Sequence, residues 1–282
     1  MILFADDTNA FVSGPDVDSL TSSLNSELEK LSRWLRANKL SINVSKTKYM
    51  LFKTKNKRGT VSGNIYFGGS VIEQVQSIKF LGVIINDRLS WNDHVNYIRT
   101  KISKGVGIIY KARRLLNQSA CLSLYYAFVH PYMSYCVEVW GSTYACTLSP
   151  IVTLQKRAIR AVTASGFSAH SGPLFEELKV LRFPKLYISS ALVFVYRYSV
   201  RLLPNIFDGF FVRNNEVRDV TTRRSELYNV PFARLSASQN FIRYKGVILW
   251  NLYAQSLGFY NVVSVHYFKQ KLRVFLLNTD TV

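Results

Sequence analysis

The chain has 282 residues, 48% of them hydrophobic, which excludes wholesale disorder and gives enough apolar material for more than one module. Thirty-six Lys and Arg stand against 17 Asp and Glu, a formal net charge of +19; self-repulsion of that size points to a polyanionic partner, nucleic acid first. Two carboxylates and no basic residue in the first seven positions exclude a signal peptide, and three cysteines without paired zinc-type spacing read as reduced packing residues, so the chain is expected inside the cell, in nucleus or cytoplasm, and not secreted.

Met1-Ile2-Leu3-Phe4 and Thr8-Asn9-Ala10-Phe11-Val12 flank Ala5-Asp6-Asp7, the pattern of a strand–turn–strand hairpin with both acids at its tip. Because the first residue already belongs to a buried-looking strand, the amino end reads as truncated. After Gly14-Pro15, apolar residues at 17, 20, 24, 28, 31 and 35 define one helical face, with Asp16 or Asp18 to cap it. Leu40, Ile42 and Val44 alternate and Tyr49-Met50-Leu51-Phe52 is extended, predicting a second hairpin with Lys46-Thr47-Lys48 at its junction. Gly68-Gly69 turns residues 65–67 back into Val71-Ile72, and residues 78–85, rich in β-branched side chains, predict one continuous strand.

From Trp91 the period changes. Trp91, Val95, Ile98, Ile102, Val106 and Ile109 step by three or four, while Arg99, Lys101, Lys104, Lys111, Arg113 and Arg114 occupy mostly other faces, so a long basic amphipathic helix is predicted. Residues 115–137 carry no Asp, Glu, Lys or Arg but contain Asn117, Gln118, His130 and Pro131, which favours a buried helical pair over a membrane span. The rest is helical, with breaks expected at Asn117, Pro131, Pro150, Gly172-Pro173, Pro184 and Pro204 and a less regular segment over 208–231. Between Asp93 and Glu176 the sole carboxylate is Glu138, and between Glu226 and Asp280 there is none, so both stretches are electrostatic footprints. Trp91, Trp140 and Trp250 read as core anchors, and His94, His130, His170 and His266 are too scattered for a metal site.

Adjacent carboxylates on a tight turn can hold divalent ions for phosphoryl transfer, although Asp-Asp is also common in solvated loops. Phe4-Ala5-Asp6-Asp7-Thr8 resembles the aspartate-pair hairpin of reverse transcriptases of non-long-terminal-repeat (LINE-type) retrotransposons. Further segments resemble that family in its order: Leu40 to Phe52 the next palm motif, Phe80-Leu81-Gly82-Val83 the strand that grips the primer end, and Leu89-Ser90-Trp91-Asn92-Asp93-His94-Val95 the entry to the thumb helix. Tyr132-Met133-Ser134-Tyr135-Cys136 with Trp140, then Leu154 to Arg160, resembles the helical region behind the thumb in jockey- and CR1-like elements; Thr222-Arg223, Leu249-Trp250-Asn251 and Phe268-Lys269 resemble markers of the terminal segment.

The resemblance implies an α+β class: a partial right-hand polymerase palm over 1–88, a thumb-like helical region over 89–130, and a helical carboxyl-terminal region over 131–282. It implies an RNA-directed DNA polymerase whose Asp6 and Asp7 hold catalytic Mg2+, whose Lys46 acts as a cation or general acid toward leaving pyrophosphate, and whose Gly82 lets the backbone approach the primer. Lys101, Lys104, Lys111, Arg113 and Arg114 would meet the RNA–DNA duplex backbone of RNA template and DNA primer, joined by Lys156, Arg157 and Arg160. A solvent-facing lysine, a bulge glycine and a solvated helix face are the structural alternatives for these residues. The family's fingers, and its earlier palm strand with another metal-binding aspartate, find no counterpart in the chain, so inactivity by itself is expected. The competing reading is a non-enzymatic nucleic-acid-binding remnant that uses only the basic helical region.

Overall fold

The computed structural model describes residues 2–4, 7–53, 63–217, 227–257 and 264–279, with the backbone alone for 2–4, 7 and 254–257. The chain divides into two units, residues 1–89 and 90–282. In the first, β1 (Ile2–Phe4) and β2 (Asp7–Asn9) form an antiparallel hairpin whose last pair is Phe4 opposite Asp7. The second strand ends at Asn9 rather than running on to Val12; Phe11 and Val12 are exposed, so no apolar face there drives further pairing.

Helix α1 (Val17–Ala37) starts where Asp16 accepts the Ser19 N–H at 2.8 Å, an N-cap that satisfies one of the helix's open donors. Its row Leu24, Leu28, Leu31 and Leu35 covers a small core of Ile65, Phe67 and Ile72. Short strands β3 (Lys48–Tyr49), β4 (Tyr66–Phe67), β5 (Ser70–Val71) and β6 (Glu73–Gln74) complete this layer. Gly68 and Gly69, at φ +60° and +85°, turn β4 into β5 as their sequence predicts. The hairpin expected over 40–52 does not form. Asn43 accepts from the Ser45 hydroxyl and the Lys46 N–H, and its carbonyl takes the Lys46 and Thr47 N–H groups. This Asx-type turn uses the backbone groups a ladder would need. β3 instead pairs in parallel with β6, with Lys48 ion-paired to Glu73 across the pair.

The single strand predicted over 78–85 is also two strands. β7 (Ser77–Phe80) folds back on β8 (Val83–Asn86) through Leu81 (φ +44°) and Gly82 (φ +86°). The apolar run hides a two-residue turn that a glycine in the left-handed region makes possible.

The second unit is helical. After Trp91, α2 (Asn92–Ala112) buries Val95, Ile98, Ile102, Gly105 and Ile109 against α3 (Gln118–Phe128) and the long helix that comes later in the chain. α4 (His130–Ser134) and α5 (Val137–Trp140) are short; α6 (Ala145–Val162) is that long partner of α2. α7 (Ser171–Glu177) leads to α8 (Phe183–Ser199), a nearly all-round apolar helix that packs on α4 and α5. After a 3-10 turn (Asn205–Phe207), α9 (Asn214–Val217) and α10 (Ser236–Gln239), the helices α11 (Ile242–Leu257) and α12 (Val265–Asn278) close over α8. The rings of Tyr196 and Phe268 stack at 4.1 Å in this core, and Trp91, Trp140 and Trp250 are buried as anchors. Helices on either side of residue 130 thus belong to one unit.

Two expectations are corrected here. Pro150 lies inside α6 rather than breaking it, because the Ser149 hydroxyl donates to the Cys146 carbonyl at 3.1 Å, the acceptor that a proline cannot serve. Of the cysteines, Cys121 is buried but Cys146 is exposed at the start of α6 and packs in no core.

Candidate nucleic-acid interface

Asp6 lies outside the described residues, and Asp7 opens β2 opposite Phe4. Lys46 is exposed in the turn after Asn43, and Gly82 holds the tip of the β7–β8 hairpin, where its positive φ gives it a conformational role. Among the described residues no group of three or more His, Cys, Asp or Glu side chains could hold a metal ion.

The basic helix is where the chain's charge is best organised. The apolar stripe of α2 is occupied by packing, which forces its other positions outward: Arg99, Lys104 and Lys111 are exposed and Lys101 is half-buried, and just past the helix Arg113 is half-buried and Arg114 exposed. Lys101 sits over the Tyr97 ring at 5.7 Å and Arg113 over the Tyr110 ring at 3.9 Å, contacts that hold long side chains extended along the surface. None of these six cations forms an ion pair with a described carboxylate, whereas Lys30, Arg33, Lys48 and Arg182 do. Composition explains this. The one carboxylate in residues 94–175, Glu138, accepts from Ser190 at 2.8 Å.

The three cations of α6 separate. Arg157 lies over the exposed Phe167 ring at 5.5 Å, whereas Arg160 donates to the Ala169 carbonyl at 2.7 Å and braces the loop after the helix. Lys156 lines a cleft between α6, α7 and the start of α8 together with His170 and Arg182. Tyr97 and Tyr110, missed in the sequence, were signalled by their spacing: aromatic and cation stand four and three residues apart on one helix.

His94 and His130 take no part. His94 is buried edge-on to Trp140, with ring centroids 5.2 Å apart, and burial pulls it down to about 4; burial, and then the Arg273 charge, lowers His130 as well. Among the described residues no helix is long and apolar enough to cross a membrane.

Residues 1–85 match the family described as reverse transcriptase (RNA-dependent DNA polymerase). The chain is 25% identical over 187 residues to the RNA-directed DNA polymerase from mobile element jockey of Drosophila melanogaster, an alignment covering 65% of this chain and 20% of that protein. It is 26% identical over 154 residues to the probable RNA-directed DNA polymerase from transposon X-element of the same organism, covering 54% and 17%. A retrovirus-related Pol polyprotein from type-1 retrotransposable element R1 of Nasonia vitripennis is 28% identical over 147 residues, covering 49% and 35%. The chain thus spans about a fifth of the length of the first two relatives, and the jockey alignment is too long to lie within residues 1–85 alone. No solved structure matches.

Proposed function

Since its first 85 residues match the reverse transcriptase family and its similarity to mobile-element polymerases continues beyond them, we propose that this chain serves RNA-directed DNA synthesis by holding the RNA–DNA duplex of template and primer on the outer face of α2. The observation that carries this reading is a 21-residue helix whose apolar face is packed and whose other positions, with the two residues that follow it, carry six cations that form no ion pair with a described carboxylate. Lys101, Lys104, Lys111, Arg113 and Arg114 would each meet a backbone phosphate, which gives affinity without sequence choice. In the same reading residues 1–88 are palm and 89–130 thumb.

Asp6 and Asp7 are hard oxygen donors of the kind Mg2+ takes, and they are the residues that would hold it; bound there, the ion would neutralise charge developing on phosphate oxygens. Lys46, exposed and beyond reach of the described carboxylates that form ion pairs, would offer an ammonium to leaving pyrophosphate. Gly82 would let the β7–β8 turn lie close to a primer strand.

Filter binding of a short RNA–DNA duplex across several salt concentrations tests the α2 assignment. Affinity should fall steeply with salt, and replacing Lys104 and Lys111 by Gln should reduce the log–log slope by about 0.9 per lost phosphate contact. An affinity indifferent to salt, or a slope unchanged in the double variant, contradicts it. The second reading, a nucleic-acid-binding protein without catalysis, rests on the same helix and predicts the same binding with no primer extension in any context.

A further inference from the structure

The separation of Lys156 from its α6 neighbours leaves it on the rim of a cleft of about 220 Å³. Lys156, His170, Ser171 and Arg182 supply that rim, Val152 and Phe175 the apolar wall, and no carboxylate lines it. The remaining polar lining group, Gln155, is already committed: its amino group donates to Tyr125 and Leu181, and its carbonyl accepts from Phe183. Glycine at 172 is what brings two of the rim groups together. A Cβ built there would stand 2.9 Å from the His170 ring and 3.3 Å from the Arg182 guanidinium, so both side chains lie folded over that backbone position. Arg182 also touches Glu176 at 3.6 Å, a loose contact in which both side chains remain about half or more exposed and which competes weakly for the guanidinium.

Planar and ammonium donors converging on a carboxylate-free cleft favour an anion with several acceptor oxygens. The cleft is smaller than the roughly 300–1,000 Å³ of pockets that enclose drug-sized molecules. It therefore suits one phosphate group with its nearest atoms, not a whole nucleotide. We propose that the α6–α7–α8 cleft binds a single phosphate group through Lys156, Arg182 and His170, with the Ser171 hydroxyl as a further donor. The group is either free phosphate or the end of a nucleic-acid strand. This site is separate from the outer face of α2 and does not rest on that assignment.

Calorimetric titration of the full 282-residue chain with inorganic phosphate, a 5′-phosphorylated trinucleotide and the same trinucleotide lacking its 5′ phosphate tests it. The inorganic phosphate and the 5′-phosphorylated trinucleotide should compete for one site per chain, and the third probe should not displace inorganic phosphate from it. Lys156→Ala and Arg182→Gln should each weaken binding roughly tenfold or more, as expected for a lost charge-assisted contact. Glu176→Gln, which releases Arg182, should tighten binding, a gain that misfolding cannot imitate. The Lys104/Lys111 double variant should bind phosphate unchanged, so failure of the α2 reading and failure of this one are distinguishable. A trinucleotide clearly tighter than inorganic phosphate assigns the site to strand ends, and equal affinities assign it to free phosphate. No binding of either phosphate probe, or binding that survives both Lys156→Ala and Arg182→Gln, overturns the proposal.

Discussion

The carboxamide of Gln155 on α6 accepts the Phe183 N–H at 2.8 Å and so fixes the first residue of α8 from a neighbouring helix. Its amino group donates to the Leu181 carbonyl at 2.9 Å and to the Tyr125 phenol at 3.0 Å, all in an interior from which Gln155 is 1% exposed. Replacing it by Leu keeps the volume but leaves a buried N–H, a carbonyl and a hydroxyl without these partners. Unsatisfied groups of this kind cost about 1–3 kcal/mol each, so Gln155→Leu should lower unfolding stability by several kcal/mol. Denaturant unfolding checks this; a loss under about 1 kcal/mol would mean that water reaches the site.

Gly105 and Gly107 share α2 and should respond oppositely to alanine. A Cβ at 105 would lie 2.6 Å from the Phe128 carbonyl oxygen and 3.1 Å from Val129, where α3 crosses closely, whereas a Cβ at 107 meets nothing within 4 Å. Gly105→Ala must push α3 away and should cost about 1–3 kcal/mol, the usual range for overpacking. Gly107→Ala should gain up to about 1 kcal/mol from helix propensity. Thermal melting of the two variants checks the pair. Similar shifts in both would remove the close α2–α3 approach as the reason for the glycine.

Periodic elements were legible because burial acts on spacing: the apolar rows of α1 and α2 and the capping Asp16 are visible as three- and four-residue steps. Features that depend on one unusual backbone position were not. Leu81-Gly82 reads as strand because apolar residues continue on both sides, yet two positive φ angles reverse the chain there. Pro150 reads as a break because its compensation comes from the Ser149 hydroxyl, a side-chain bond that pattern alone does not reveal. The candidate site divides in the same way. The α2 cations follow from the helix period, but His170 and Arg182 reach Lys156 only through the fold, and Asp6 lies outside the described residues.

Acid should destabilise the second unit through His94. Its pKa falls from 6.5 to about 4 on burial, so the unfolded chain binds the proton first as pH drops. Stability from this group is therefore complete above about pH 6.5 and declines between there and about pH 4; at about 1.4 kcal/mol per pH unit the loss is of order 2–3 kcal/mol. His130 shifts in the same direction and adds to it. Comparing denaturant midpoints at pH 7 and pH 4.5 for the wild type and His94→Gln checks this. The variant should lose less stability on acidification, and an equal loss would assign the acid sensitivity to carboxylates.

Duplex binding and catalysis should separate by residue, because they draw on opposite charges in different units. The proposed binding through α2 would be an exchange of counterions for phosphates, so it should need no Mg2+, and Asp6→Asn with Asp7→Asn should leave it intact or strengthen it slightly by removing negative charge. Catalysis asks more of the same chain. In the proposed catalytic reading two magnesium ions about 4 Å apart would bring four positive charges, and Asp6 and Asp7 would answer with two negative ones. Without further ligands the ions are held weakly, and loss of their electrostatic stabilisation and of substrate orientation can each cost several kcal/mol of barrier. The 282-residue polypeptide by itself should therefore bind primed RNA in the presence of a chelator and yet give no primer extension when Mg2+ is supplied. Gel-shift and extension assays on the same preparation check both halves. Extension by this polypeptide would show that residues 1–89 assemble a working metal site, and binding abolished by chelation or by the Asp6 and Asp7 substitutions would move the duplex contact away from α2.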